Sequence, residues 1–188
     1  VCSSDLAKRL ANAMQALPYD HCVSSDLQRA HHTAMAITGA AKPIQLDPNL
    51  RERNYGHFSG MTGDEMRAHC PQEFAGLMQR DPESPLRHGE SLLSFYQRVI
   101  DAFTSHLQAH IGQTVLLVAH GGVLDCIYRH CMDEPLHTPR QWALPNCAIN
   151  IIDRSPQGDF EVVTWAHTAH LSDDPNTPSL DEVDGRIA

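Results

Sequence analysis

A histidine followed by two glycines, His120-Gly121-Gly122, closes the apolar run Val115-Leu116-Leu117-Val118-Ala119 and opens a second apolar stretch that can wind as a helix. The run is too short for an ordinary helix and reads as a buried strand. A histidine delivered from a strand to a helix start stands where free backbone N–H groups, the helix dipole and the close approach that glycine permits all favour an anion. The chemistry indicated is capture of a phosphate-like group. A histidine that merely ends a strand is the alternative, and this stretch alone leaves both open.

Two further segments hold residues able to work on such a group. Ser24-Ser25-Asp26 supplies N-cap chemistry for a helix over about Leu27 to Thr38, which puts Arg29 in the first turn. A cation there opposes the helix dipole and gains little unless an anion is near, so Arg29 is either a solvated side chain or an anion ligand. The segment Leu50 to Gly60 mixes charges, an aromatic pair and two glycines, fits neither helix nor strand, and has the make-up of a functional loop that includes Glu52.

Metal chemistry has weaker support. Among 13 histidines, His106 and His110 share a helix face at i, i+4 spacing, but neither an HExxH motif nor a tight Cys/His cluster accompanies them, so a catalytic metal is not expected. The six cysteines include no CxxC pair, and a chain this long can be stable without staples, so reduced thiols are expected.

The elements that must carry these residues alternate. A helix over Ala7 to Leu17 stops at Pro18; a short strand over Tyr19 to Val23, the Arg29 helix and a strand at Ile44 to Leu46 follow. Thr62 to Glu65 resembles a helix start, Pro71 opens a short helix, and Asp81 to Arg87 reads as a linker or lid. A long amphipathic helix carries Leu92, Phe95, Val99, Phe103 and Leu107 toward the sheet. After the strand ending in His120 and its helix come a mobile-looking stretch from Pro135 to Pro145 and two strands, near Cys147–Ile152 and Phe160–Trp165. Strands alternating with helices predict an α/β three-layer sandwich with a largely parallel central sheet. The tail from Ser172 is acidic and aperiodic and is expected to be disordered.

With 188 residues, 41% hydrophobic and 20% charged, the chain suits one globular domain. The net charge of −9 and the scattering of Lys and Arg argue against a nucleic-acid surface. No run reaches a membrane span and the start lacks a signal-peptide order, so a cytoplasmic protein without membrane partners is expected. The opening Val1 to Leu6 nearly duplicates Cys22 to Leu27 and is expected not to be the native beginning.

Four segments in order then resemble the histidine phosphatase superfamily, the phosphoglycerate-mutase-like group: Ser24 to Ala30 with Thr33, Leu50-Arg51-Glu52 leading to Gly56 and Ser59-Gly60, Gly89-Glu90-Ser91, and Val118 to Gly122. The likeness spans about Ala7 to Leu171. It implies a doubly wound α/β domain with a phosphate pocket at the carboxyl ends of the strands. It also implies a histidine that takes the phosphoryl group, with a second histidine and arginines holding the oxygens and a carboxylic acid protonating the leaving oxygen. By motif, Glu52 becomes the acid and later the base, His120 the second histidine, and Arg29, Ser25, Gly121 and Asn146 the phosphate or substrate ligands. Neither cofactor nor metal is implied.

The family nucleophile lies in an Arg-His-Gly motif ending a first strand, and no such strand precedes Ala7. The one Arg-His-Gly here, Arg87-His88-Gly89, follows a Pro-rich linker and is not taken as the nucleophile. The expectation is therefore an N-terminally truncated domain over residues 1–171, its first strand missing, followed by the tail 172–188. The parent protein is expected to hydrolyse a small phosphorylated substrate through a phosphohistidine, with this fragment inactive. A phosphoglycerate mutase and a non-catalytic phosphate-ligand-binding relative are the alternatives. Oligomeric state is left open.

Overall fold

The computed structural model describes residues 4–39 and 42–171. The expected acidic tail lies outside the described residues, as do residues 1–3. The elements in order are α1 (Ser4–Met14), β1 (His21–Ser24), α2 (Gln28–Thr38), β2 (Ile44–Leu46), α3 (Gly63–His69), α4 (Pro71–Met78), α5 (Leu92–Ala109), β3 (Val115–Val118), α6 (Gly121–Met132), β4 (Ile149–Arg154) and β5 (Phe160–His167). This is the α/β architecture expected, with helices on both faces of a parallel sheet.

Alternation along β1 explains the layering. Cys22 points into a cluster with Ala30, Ala34 and Val118, covered by α2. Its neighbour Val23 points the other way, into the main core of Phe95, Val99, Phe103, Val123, Cys126 and Ile127 on α5 and α6. Val23, Val99 and Val123 are fully excluded from solvent. A third cluster, Phe58, Met66, Phe74 and Leu86, lies under α3 and α4 and forms a cap beside the sheet. Thr62 starts α3 with a reciprocal capping box to Glu65.

The sheet order is β2-β1-β3, all parallel, with Ser24 opposite Val118. That register brings Ser25 and the Ala119-His120 pair out at the same carboxyl end, and Ser25 N–H donates to Val118 O at 2.9 Å. Among the described residues β3 is an edge strand, and β4 with β5 forms a separate antiparallel hairpin. The all-apolar β3 is buried only in part over Val115 to Leu117. Among the described residues ahead of β1, α1 is the one regular element.

Three local expectations change. Ser24-Ser25-Asp26 does not cap α2 from its N-cap position: the N-cap is Leu27, which has no side-chain bond, because the Ser25 hydroxyl is drawn into the site described below. The stretch Pro135 to Pro145 is tied down instead of mobile-looking. The fully buried Arg129 guanidinium donates to Pro135 O, to Thr138 Oγ1 at 3.1 Å and to Thr138 O at 3.0 Å, and stacks over Trp142 at 4.7 Å. Cys22, Cys70, Cys126 and Cys131 are free thiols as expected, whereas Cys147, also expected reduced, is disulfide-bonded. Among the described residues no helix is long and apolar enough to cross a membrane.

Candidate active site

The site begins with the geometry of the His120 ring. Arg29 Nε, which can only donate, points to His120 Nδ1 at 3.2 Å, so Nδ1 must offer a lone pair. The ring proton of the neutral imidazole therefore sits on Nε2 and is donated to Ser25 Oγ at 2.8 Å. Burial, reinforced by the Arg29 charge and opposed by Asp26, pulls the His120 pKa down to about 4. The imidazole is held neutral in one tautomer.

Ser25 Oγ also accepts from Leu27 N–H at 3.3 Å, so the hydroxyl proton remains free to be donated. Arg29 is exposed, and its two terminal guanidinium nitrogens have no hydrogen-bond partner among the described residues. Asp26 does not neutralise it: the Asp26 carboxylate is engaged by Arg51 through two bonds of 2.7 and 2.5 Å, and that pairing holds it below the usual carboxylate range. The result is a neutral histidine, a free hydroxyl donor and an uncommitted cation at one strand end.

Glu52 reaches the same place by the helix start. Gly122 N–H, in the first turn of α6, donates to Glu52 Oε2 at 2.9 Å, and Arg53 N–H donates to Oε1 at 2.8 Å. A Cβ on Gly122 would stand 2.2 Å from Glu52 Oε1, so the glycine is what lets the carboxylate approach the helix. His120 is the N-cap of that helix, which places it two residues from the Glu52 contact.

The loop bearing Glu52 is clamped by Glu90. Burial pushes the Glu90 carboxylate up, but a bidentate pair with Arg98 at 2.8 Å and the Asn54 N–H at 2.9 Å more than offset this and leave it below its ordinary value. The Glu90 carbonyl accepts both Arg53 Nε and Nη2, at 3.0 and 2.9 Å. The Gly89-Glu90-Ser91 motif is thus explained: it fixes the Arg51–Asn54 backbone while Ser91 caps α5.

Beside Glu52 lies a cavity of about 460 Å³ lined by Glu52, Arg53, Tyr55, Leu77, Arg80 and Arg140, among others. Arg29, His120 and Ser25 lie outside this lining, whereas Glu52 and Gly122 border it, so the carboxylate stands between the histidine cluster and the cavity. Burial and the Glu52 charge raise the Tyr55 hydroxyl above its ordinary value, which keeps it a hydrogen-bond donor. Asp81, Ser84 and Leu86 belong to the wall, so the proline-containing 81–87 segment closes one side of the cavity.

Ser25, Arg29 and His120 are therefore brought together, Glu52 joins them through Gly122, and Gly121 opens α6 with its surface exposed. Asn146 is not brought in: it is exposed, and no hydrogen bond among the described residues links it to these groups. In its segment, Asn150 Oδ1 is the amide acceptor used, from Ala166 N–H at 2.7 Å. His88 is exposed at φ 60°, outside the cavity, and its carbonyl accepts from Asn54 Nδ2, a turn position rather than a nucleophile's. Among the described residues no other histidine hydrogen-bonds to Arg29, Ser25 or Glu52. His106 pairs with Asp47 at 2.8 Å and His110 stacks on His21, so the i, i+4 histidines serve packing. Arg80 and Arg140 were not singled out by sequence, because neither sits in a recognisable motif.

The chain matches the sequence profile described as "Histidine phosphatase superfamily (branch 1)" over residues 4–168. It is 30% identical over 182 residues to a protein of Escherichia fergusonii named "Probable phosphoglycerate mutase GpmB", covering 94% of this chain and 83% of the relative. The solved structure of Bacillus stearothermophilus YhfR superposes with a TM-score of 0.81 at 30% identity, covering 89% of this chain and 84% of that one. The fold is shared too by a phosphoserine phosphatase from Entamoeba histolytica in complex with 3-phosphoglyceric acid, with a TM-score of 0.78, 20% identity, and coverage of 89% and 83%.

Proposed function

The chain belongs to the histidine phosphatase superfamily, and from that premise we propose that its site hydrolyses a small phosphomonoester through a phosphohistidine, without a catalytic metal. The observation that carries this reading is the Arg29–His120–Ser25 chain, which leaves guanidinium and hydroxyl protons free, next to a carboxylate held at the start of α6.

In this reading Arg29, Ser25 and the Gly121 N–H bind the phosphoryl oxygens, and neutral His120 supports the same charge. Protonated Glu52 gives its proton to the leaving oxygen as the phosphorus–oxygen bond breaks and phosphorus bonds to a nucleophilic histidine nitrogen. Glu52, now a carboxylate, then takes a proton from water, whose oxygen attacks phosphorus and releases phosphate and the histidine. The leaving group lies in the cavity against Tyr55, Leu77, Arg80 and Arg140, a lining suited to a polar or anionic metabolite.

The nucleophile has to stand beside His120. Among the described residues one edge of β3 is unpaired, and a parallel strand laid along it would bring its carboxyl end beside His120. The name of the 30% identical relatives favours a second reading, phosphoryl transfer between positions of a phosphoglycerate.

The test compares residues 1–188 with the same chain to which a strand ending in Arg-His-Gly is joined ahead of residue 1, both assayed with small phosphomonoesters in chelator. The proposal expects hydrolysis, with acid-labile phosphate bound to protein, wherever a second pocket histidine is present. Acid-stable protein phosphate would overturn it. Transfer between phosphoglycerate positions without phosphate release would favour the mutase reading.

A further inference from the structure

Away from the Arg29–His120–Glu52 site, three side chains of metal-binding type converge from separate segments. His57 lies in the loop between β2 and α3, Cys70 at the junction of α3 and α4, and Glu73 in the first turn of α4. One nitrogen, the sulfur and one carboxylate oxygen lie within 4.8 Å of one another. None of the three lines the cavity beside Glu52.

The backbone of Arg87 arranges two of them. Its carbonyl faces His57 Nδ1 at 3.2 Å, and a carbonyl can only accept, so Nδ1 carries the proton. Nε2 is left as the outward nitrogen; it is buried and has no hydrogen-bond partner. The Arg87 N–H donates to Glu73 Oε2 at 3.3 Å. The Glu73 oxygen lies 3.6 Å from His57 Nε2, too far for a hydrogen bond. It is near the edge of a tetrahedron with ligand bonds of about 2.0–2.3 Å, for which ligands sit roughly 3.5 Å apart. A second backbone adaptation makes this approach feasible: a Cβ on Gly56 would stand 2.1 Å from Arg87 O, so glycine lets the His57 turn lie against the Arg87 segment.

We propose that His57, Cys70 and Glu73 form a site for a divalent transition metal, zinc or cobalt, with water as the fourth ligand. Histidine that donates its other ring proton to a backbone carbonyl is the arrangement by which metal-bound imidazoles are oriented. A thiolate in the set selects against magnesium and calcium, which prefer oxygen ligands. The bound ion would join the His57 turn to α4, whose Gly76, Leu77 and Met78 wall the cavity, and so would fix the cap without entering the phosphoryl chemistry.

The experiment titrates Co²⁺ into the reduced chain. Binding of one equivalent with a thiolate-to-cobalt charge-transfer band, displaced by Zn²⁺, is expected. Cys70→Ser should abolish the band, and His57→Gln and Glu73→Gln should weaken binding at least about tenfold each. On the unmodified chain, saturating Zn²⁺ should protect Cys70 from iodoacetamide while the half-buried Cys131 labels at an unchanged rate. Absence of the band, its persistence in Cys70→Ser, or equal labelling of Cys70 with and without Zn²⁺ would overturn the site.

Discussion

Arg29 Nε donates to His120 Nδ1 at 3.2 Å, and this one bond fixes the tautomer and the direction of the His120 ring, while burial, helped by the Arg29 charge, keeps the ring neutral. Its consequence for stability follows from the His120 pKa of about 4 in the fold, against 6.5 for an ordinary histidine. Because the folded value is depressed, the unfolded chain binds the proton first, and stability present above pH 6.5 is lost as pH falls toward 4. The loss at this residue is roughly 3 kcal/mol over that window. Urea unfolding at pH 7, 5.5 and 4.5 should show the decline, and His120→Gln should flatten part of it. A His120→Gln profile parallel to that of the unmodified chain would show that the imidazole is not the group responsible.

Glu52 as proton donor predicts a dependence on the leaving group. In any form of the protein that turns over, Glu52→Gln should slow hydrolysis of an alkyl phosphate by about 10²- to 10⁴-fold, but that of p-nitrophenyl phosphate far less, since nitrophenolate leaves without protonation. Equal losses on both substrates would assign Glu52 to binding alone. Gly122→Ala separates stability from position. The added methyl meets the flexible end of Glu52, so helix propensity should keep stability level or raise it by up to about 1 kcal/mol, while the displaced carboxylate reproduces the alkyl-phosphate defect.

Arg129 is 1% exposed, and its ion pair with Asp125 at 2.9 Å sits inside the fold. Arg129→Ala removes one member of that pair together with the anchors of the Pro135–Trp142 stretch, and should cost about 3–5 kcal/mol. Limited proteolysis should then cut between Pro135 and Pro145, next to the cavity residue Arg140. Unchanged resistance there would mean that other contacts hold the stretch.

The Arg87-His88-Gly89 turn should behave as architecture. Gly56→Ala places a methyl against the Arg87 carbonyl in a backbone with φ 57° and should cost more than about 2 kcal/mol in thermal unfolding. His88→Gly, at an exposed position with φ 60°, should be neutral or stabilising by up to about 1 kcal/mol. A His88→Gly chain that lost phosphate affinity would return His88 to the site.

Much of this was legible in the residues. The short apolar run ending at His120 indicated a strand-to-helix junction, and the order of motifs singled out Arg29 and Glu52. The bonds between them needed the parallel register that sets Ser24 beside Val118. Local rules erred at Ser25, a good N-cap type whose hydroxyl is taken by His120 from 95 residues away. Asn146 followed from motif position alone, and among the described residues it is exposed and no hydrogen bond joins it to Arg29, His120 or Glu52. His57, Cys70 and Glu73 were invisible because only Cys70 and Glu73 are near in sequence, and the third member arrives through the cap's tertiary packing. Trp142 stacks under Arg129 and Phe58 fills the cap core, so neither belongs to the lining of the cavity beside Glu52.

Whether Arg29 and His120 hold a phosphoryl group is read by calorimetric titration of residues 1–188 with inorganic phosphate at pH 7.5. One phosphate should bind per chain, with affinity about 10- to 100-fold weaker in Arg29→Met, as loss of a charge-assisted hydrogen bond requires, and unchanged in Arg87→Met. Equal phosphate affinity in Arg29→Met and the unmodified chain, both folded, would contradict it.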